Sequence, residues 1–419
     1  HCPLCRLLLE LIPKDIKVEI ELRYRARYLE VYEGQNYLGR MSMTPMQDRN
    51  QTSTKTAGDS LGRAPKLNMA FIREWLHICE TTHDHPAPSA MARYQKPIDV
   101  ILVDTHENQL IKSSTNNRFL ALSYVWGPVP IFQTTASNRS ALEKPGGLLL
   151  HKAQLPQIIK DAIELVVALQ ERFLWVDCLC IEQDNAAQKH SQIAQMDIIF
   201  SQALVTLIAL SANDANPCLP GVRPNTMLPL SGSEHLPAGW MLDILPPDPV
   251  TPIFSRTWTF QERMLSKRCL FFTYHYYSYH CSSMYILEHG FSSRIAMPRG
   301  MSSDHNSLPP KVAGRLPRNN ESHGEILTWP SAFSEYAVLV RLYTGRKLTY
   351  SSDRLNAFSG ILSLFQYRLG GEMISGLPER VLDLALLWIH EYGAPQLRNR
   401  EFPSWSWAGW SGRSTYSVG

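Results

Sequence analysis

Trp258 and Glu262 stand four residues apart in a stretch with helical patterning, so an indole ring and a carboxylate would share one face, one turn apart. That pair suits a heterocycle joined to a sugar. The ring offers a stacking surface. The carboxylate can accept hydrogen bonds from ribose hydroxyls or stabilise an oxocarbenium-like transition state. The plainer reading is a core tryptophan followed by an exposed glutamate paired with Arg256 or Arg263. Asp177 ends an apolar run, with Gln183 in the loop behind it. A carboxylate in that place needs partners, either a ligand hydroxyl or the backbone N–H groups of residues 179–181. Ser123, Tyr124 and Trp126 precede Gly127-Pro128, a sharp turn that lets backbone approach a ligand closely. Tyr124 and Trp126 present flat faces for an adenine or nicotinamide ring. Alternatively, one packs in the core and the other covers the sheet edge. No G-x-G-x-x-G or G-K-[ST] phosphate loop occurs.

Eight cysteines in 419 residues are too sparse for a disulfide scaffold, and their apolar surroundings read as reduced, buried thiols of a cytosolic protein. Cys178 and Cys180 invite a thiol-nucleophile reading with His190 as base, but no orienting third residue stands at a recognisable spacing. Buried small hydrophobes are the favoured reading of that pair. Cys2-Pro3-Leu4-Cys5 has metal-knuckle spacing, and Cys79 and His83 lie one helical turn apart. Together, Cys2, Cys5, Cys79 and His83 would make a tetrahedral structural zinc site, with His1 and His85 as spare ligands. The alternative is two unrelated packed cysteine clusters.

These residues need elements to position them. Short apolar runs at 119–125, 173–177, 204–210 and 268–273 alternate with helical periodicity at 156–169, 189–202 and 255–265, the last with Ser255 as N-cap. Strands separated by helices predict an α/β fold, a mostly parallel sheet covered on both faces. Ligands of such sheets bind beyond the carboxyl ends of the strands, which singles out the loops after Val125, Asp177 and Leu210. Composition divides the chain into an N-terminal extension (1–95) with a polar loop at 48–62, a middle domain (96–296), and a C-terminal region (297–419) opened by a Pro-, Ser- and Asn-rich stretch. Trp405, Trp407 and Trp410 alternate like a strand, and the aromatic run 274–279 reads as a strand edge or a base-stacking platform.

Charge narrows the function. The chain carries 41 Lys+Arg against 38 Asp+Glu, a net charge of +3, so a basic nucleic-acid binder and an acidic tail protein are disfavoured. With 44% hydrophobic and 19% charged residues it reads as globular. No apolar run reaches the ~20 residues of a spanning helix. The first residue is His1 and no basic-plus-apolar leader follows, the expectation for a processed or trimmed chain.

Three stretches resemble the motifs of the fungal heterokaryon-incompatibility (HET) domain. They are Ala121-Leu122-Ser123-Tyr124-Val125-Trp126-Gly127, Trp175-Val176-Asp177-Cys178-Leu179-Cys180-Ile181-Glu182-Gln183, and Arg256-Thr257-Trp258-Thr259-Phe260-Gln261-Glu262. They stand in the family's order. The segments 348–355 and 403–410 resemble the C-terminal region of many HET proteins, and Cys2-Pro3-Leu4-Cys5 with 75–79 resembles their start. Family members are associated with non-self recognition and programmed cell death. HET domains in turn remotely resemble TIR domains, which have a flavodoxin-like parallel sheet flanked by helices. Several TIR domains cleave the nicotinamide–ribose bond of NAD, with a Trp and a catalytic Glu four residues apart on one helix. The resemblance thus implies an NAD glycohydrolase with Glu262 catalytic. Trp258 and Tyr124 would shape the ring site, and Arg256 and Ser123 would lie near phosphates or ribose. NAD or a related nucleotide would be a substrate, with no cofactor required. A homo-oligomer or a cell-death partner protein would complete the system. Two rival functions are a non-catalytic self-associating signalling module and a biosynthetic enzyme acting on a small metabolite.

Overall fold

Five consecutive buried residues form the Phe119–Ser123 strand, and Thr206–Ala209 is buried along its whole length as well. Such runs need partners on both sides and cover on both faces, which only the middle of a sheet provides. The structure, a computed structural model, describes residues 2–12, 19–25, 28–33, 36–45, 66–83, 96–210, 214–228, 233–236, 240–245, 257–281, 283–287, 291–294, 329–346, 348, 351–393 and 396–416. Within them, four strands pair in parallel: Arg268–Phe272 with Thr206–Ala209, Thr206–Ala209 with Phe119–Ser123, and Phe119–Ser123 with Phe173–Trp175. Numbered among themselves in chain order, these four lie 2-1-3-4.

The parallel strands are only the centre of a nine-stranded sheet. Asp99–Asp104 pairs antiparallel with Phe173–Trp175 and then with Gln109–Ser114, while Tyr277–Cys281, Met284–Leu287 and Phe291–Arg294 continue antiparallel from the other side. The sheet is therefore mixed, with parallel pairing confined to its middle. Period-two patterning sends Leu207, Ala209, Leu270 and Phe272 into the main core, and Ile208, Cys269 and Phe271 into a smaller cluster on the other face.

Several elements are shorter than the apolar runs suggested. The 156–169 pattern forms the Gln157–Ala168 helix, which packs on Phe173–Trp175. The 189–202 pattern is two helices, Ala186–Ile193 and Met196–Gln202. Asp177 does not end a strand but starts the four-residue helix Asp177–Cys180. The expected 255–265 helix is Trp258–Leu265, with Thr257 at the cap position making no side-chain capping bond; Ser255 lies outside the described residues, as do the 48–62 loop and the 297–324 stretch. The tryptophan tail is not a strand. Trp407–Gly409 is a 3-10 turn, with Ser406 Oγ accepting from the Ala408 N–H, and Trp407 is fully buried.

The segments divided by composition interlock in space. Asn36–Pro45 pairs with Trp240–Leu245 in a five-stranded antiparallel sheet, so the chain's start and a later excursion share one element. Phe260, Met264 and Leu265 of the Trp258–Leu265 helix belong to the core built by the Trp329–Thr344 and Ser359–Leu369 helices.

Candidate functional site at the strand ends

Ser123 is the last residue of the first parallel strand, and its Oγ donates to Glu262 Oε2 at 2.5 Å. Both side chains are buried, at 1% and 8% exposure. The contact spans 139 residues of sequence, so the fold, not the local chain, brings these groups together. The same helix turn is tied to the third strand: Ser266 Oγ donates to the Glu262 carbonyl at 2.6 Å and lies 2.6 Å from Thr206 Oγ1. On its other flank, Gln261 Oε1 accepts from the Gly360 N–H at 2.9 Å.

A second link joins the loops after the first and second strands. Trp126 Nε1 donates to Asp177 Oδ2 at 2.8 Å, and Asp177 Oδ1 accepts from the Cys178 N–H at 2.7 Å. The Asp177 carboxylate thus holds the Cys178 N–H, and its backbone carbonyl accepts the Ile181 N–H at 3.2 Å. Gln183 Nε2 donates to the carbonyls of Asp177 and Ile181, which closes the loop on itself. Glu182 pairs with Arg139 at 3.0 Å. Gly127 adopts φ +80, and a Cβ there would sit 2.3 Å from Asp214 Cβ, so the turn after the first strand must be glycine to close against the loop after the third.

Among the buried polar atoms without a hydrogen-bond partner are the Tyr124 hydroxyl, Gln183 Oε1 and, on the last residue of the second parallel strand, Trp175 Nε1. Burial, then the nearby Asp177 carboxylate and Cys178 thiol, push Tyr124 well above the ordinary tyrosine range. Burial does the same to Cys178, and raises Cys180 to about 12. Thiols held protonated in the core are poor nucleophiles, and the exposed His190 gives them no buried base. Trp258 is half-buried and packs against both the central and the C-terminal cores. Arg256 lies outside the described residues.

The expected zinc set is not assembled. Cys2 and Cys5 are exposed at the start of the Pro3–Leu11 helix, which packs on the five-stranded sheet. Cys79 and His83 instead converge with Cys281. Sequence reasoning missed Cys281 because its partners are distant in the chain, although the alternation of Tyr277, Tyr279 and Cys281 on one strand face was visible. It also missed Asp161, a fully buried carboxylate among the apolar residues of its helix, which accepts from Gln157 Nε2, the Leu219 N–H and Arg223 Nε at 2.6, 2.9 and 2.9 Å.

Among the described residues no helix is long and apolar enough to cross a membrane. Comparison with curated proteins and with solved structures finds no match. A family model does match, and its limits coincide with the site: it opens at Phe119, where the first parallel strand begins, and closes on Glu262. Residues 119–262 match the family described as Heterokaryon incompatibility protein (HET).

Proposed function

We propose that this chain is a cytosolic, cell-death-type enzyme that hydrolyses NAD to nicotinamide and ADP-ribose at the end of the sheet that carries Ser123 and Glu262. A heterokaryon-incompatibility or cell-death-related role is what the family match supports. The observation that carries the enzymatic reading is the Ser123–Glu262 contact. It places a carboxylate against the carboxyl end of the first strand, at the border with the third, where the order 2-1-3-4 reverses direction. That order is the one found in flavodoxin-like doubly wound sheets, and their ligands bind at this reversal. It supports the TIR-like reading of the fold.

In this reading the Glu262 carboxylate faces the ribose carbon as its bond to nicotinamide breaks and lowers the energy of the oxocarbenium-like transition state. Water supplies the hydroxyl of ADP-ribose, nicotinamide leaves with the bonding electron pair, and one proton passes to solvent. Ser123 orients the carboxylate. The buried Tyr124 hydroxyl and Gln183 Oε1 are groups that a ligand would satisfy. Trp258 and Arg256 would border the ring and the phosphates. Self-association or a partner protein would provide the activating signal.

The burial of Glu262 and the wedging of Trp258 between two cores favour a second reading, in which the pair is a structural cross-link of a non-catalytic signalling module. Incubating the purified chain with NAD and following nicotinamide release separates the two. Release that is lost in Glu262→Gln supports the enzyme. No release from the wild type, dilute or concentrated, overturns it.

A further inference from the structure

The Met69–Thr82 helix lies along the Tyr277–Cys281 strand, and their spacings match. Four helical residues advance about 6 Å, and two strand residues about 6.6 Å. Trp75 accordingly packs on Tyr277 and Tyr279, with ring centroids 5.7 and 6.3 Å apart. One turn later stands Cys79, and one turn after that His83, while the strand's next inward residue is Cys281. The Sγ atoms of Cys79 and Cys281 and a ring nitrogen of His83 lie within 4.8 Å of one another.

We propose that Cys79, His83 and Cys281 form a zinc site with two thiolates and one imidazole, which staples the Met69–Thr82 helix to the central sheet.

The geometry fits the ion. Zn–S bonds near 2.3 Å and Zn–N bonds near 2.0–2.1 Å at a tetrahedral angle set the sulfur–nitrogen edge at roughly 3.5 Å. Cys281 Sγ and His83 Nδ1 are 3.5 Å apart. The surroundings fit thiolates. Arg268 Nε donates to Cys79 Sγ at 3.1 Å, and the Ser283 N–H donates to Cys281 Sγ at 3.4 Å. Each sulfur therefore has an N–H donor, and one of these carries a positive charge that favours the ionised form. The buried Tyr279 hydroxyl lies beside Cys79 and is a further donor for that sulfur. Three protein ligands leave one tetrahedral position for water. Soft sulfur donors with an imidazole select zinc over magnesium or calcium.

The test uses the full chain and has readouts independent of any enzymatic activity. Elemental analysis of the purified protein is expected to find one zinc per chain. Cobalt titrated into the zinc-stripped protein is expected to give thiolate-to-cobalt charge-transfer bands and tetrahedral d–d bands. His83→Gln, at a half-buried helix end that tolerates substitution, should weaken cobalt binding by at least ~10-fold. Cys281→Ser should abolish the charge-transfer contribution of one thiolate. The double variant Cys2→Ser/Cys5→Ser should bind like the wild type. The proposal is overturned by a chain that binds neither metal. It is equally overturned by binding that survives in His83→Gln but disappears in the Cys2/Cys5 variant, or by a metal-free chain two hydrogens lighter through a Cys79–Cys281 disulfide.

Discussion

Replacing Glu262 by Gln removes a charge while leaving a side chain of the same size that still accepts the Ser123 hydroxyl. A hydrogen bond to a charged group contributes about 1.5–3 kcal/mol and a neutral one about 0.5–1.5, so the substitution should cost the folded state about 1 kcal/mol. A domain stable by about 5 kcal/mol or more stays over 99% folded after such a loss. Any effect on turnover would then report chemistry. If the carboxylate stabilises an oxocarbenium-like transition state, nicotinamide release should fall by ~10²-fold or more, about 2.7 kcal/mol, the scale of losing one preorganised electrostatic group. Ser123→Ala gives the opposite balance. It strips a donor from a buried carboxylate, so it should cost the fold about 1.5–3 kcal/mol while retaining the charge, and turnover by the molecules that remain folded should fall less than in Glu262→Gln. The assay is nicotinamide release at a temperature where all three proteins are folded by circular dichroism. Equal rates for wild type and Glu262→Gln would refute the catalytic role, because the one property changed is the one the mechanism requires.

Three other outcomes follow from the geometry. Asp161→Ala removes a fully buried carboxylate that holds Arg223 and the Leu219 N–H. It should cost about 3 kcal/mol, at the low end for a broken buried pair because the Arg223 side chain keeps 41% exposure, and a urea midpoint close to wild type would contradict this. Gly360→Ala would place a Cβ 2.4 Å from Asp197 Cβ and 2.8 Å from Leu265 Cδ1, so overpacking of about 1–3 kcal/mol is expected as a lower unfolding midpoint. Burial works against the ionised form of Asp104, but the Arg172 guanidinium and the N–H groups of Glu107 and His106 outweigh it and hold the carboxyl below the ordinary range. A depressed folded pKa means that this stability is present above the unfolded value near 3.9 and is lost as pH falls through the folded value. Urea midpoints between about pH 5 and 2 should therefore decline less steeply in Asp104→Asn than in wild type.

The parallel centre was legible because its evidence is local. Runs such as 119–123 and 206–209 are apolar on both faces, and the helices between them carry their own periodicity. The antiparallel edges were not: nothing local singles out 99–104, and 274–279 reads as a strand edge or a base-stacking platform, because the partners that order these strands are not visible locally. Boundaries failed where polar bonding overrode apolar pattern. Asp177 follows the apolar run 173–176 yet starts a helical turn, held by its bond to the Cys178 N–H and by the Trp126 indole. The Trp258–Glu262 spacing was visible and Ser123 was expected at the same site, but the direct Ser123–Glu262 hydrogen bond across 139 residues was not. Of the four residues expected to bind zinc, only Cys79 and His83 fall in the cluster that the fold assembles. Cys79 and His83 obey a helical rule, whereas Cys281 joins them only through the packing of a helix on a strand.

The helix that carries Glu262 belongs to two structures at once, and this bears on how the site is held. Glu262 reaches the first strand, and Ser266 joins its carbonyl to the third. Residues between and beside them face the other way. Phe260 stacks on Phe358 and tilts against Tyr343 at centroid distances of 6.2 and 5.9 Å, Gln261 accepts from Gly360, and Met264 and Leu265 fill the C-terminal core. Gly360 is the contact that permits this, since no larger residue fits between Asp197 and Leu265. The matched HET segment ends at residue 262, in the middle of that helix. The carboxylate is therefore positioned from both sides, by strand ends within the matched segment and by a core that lies beyond it. A movement of the C-terminal helices relative to the sheet would be transmitted to Glu262 through a rigid eight-residue helix rather than through a loop. Packed interfaces of this kind shift between discrete arrangements rather than deforming continuously, so the placement of Glu262 depends on the C-terminal core as well as on the strand ends.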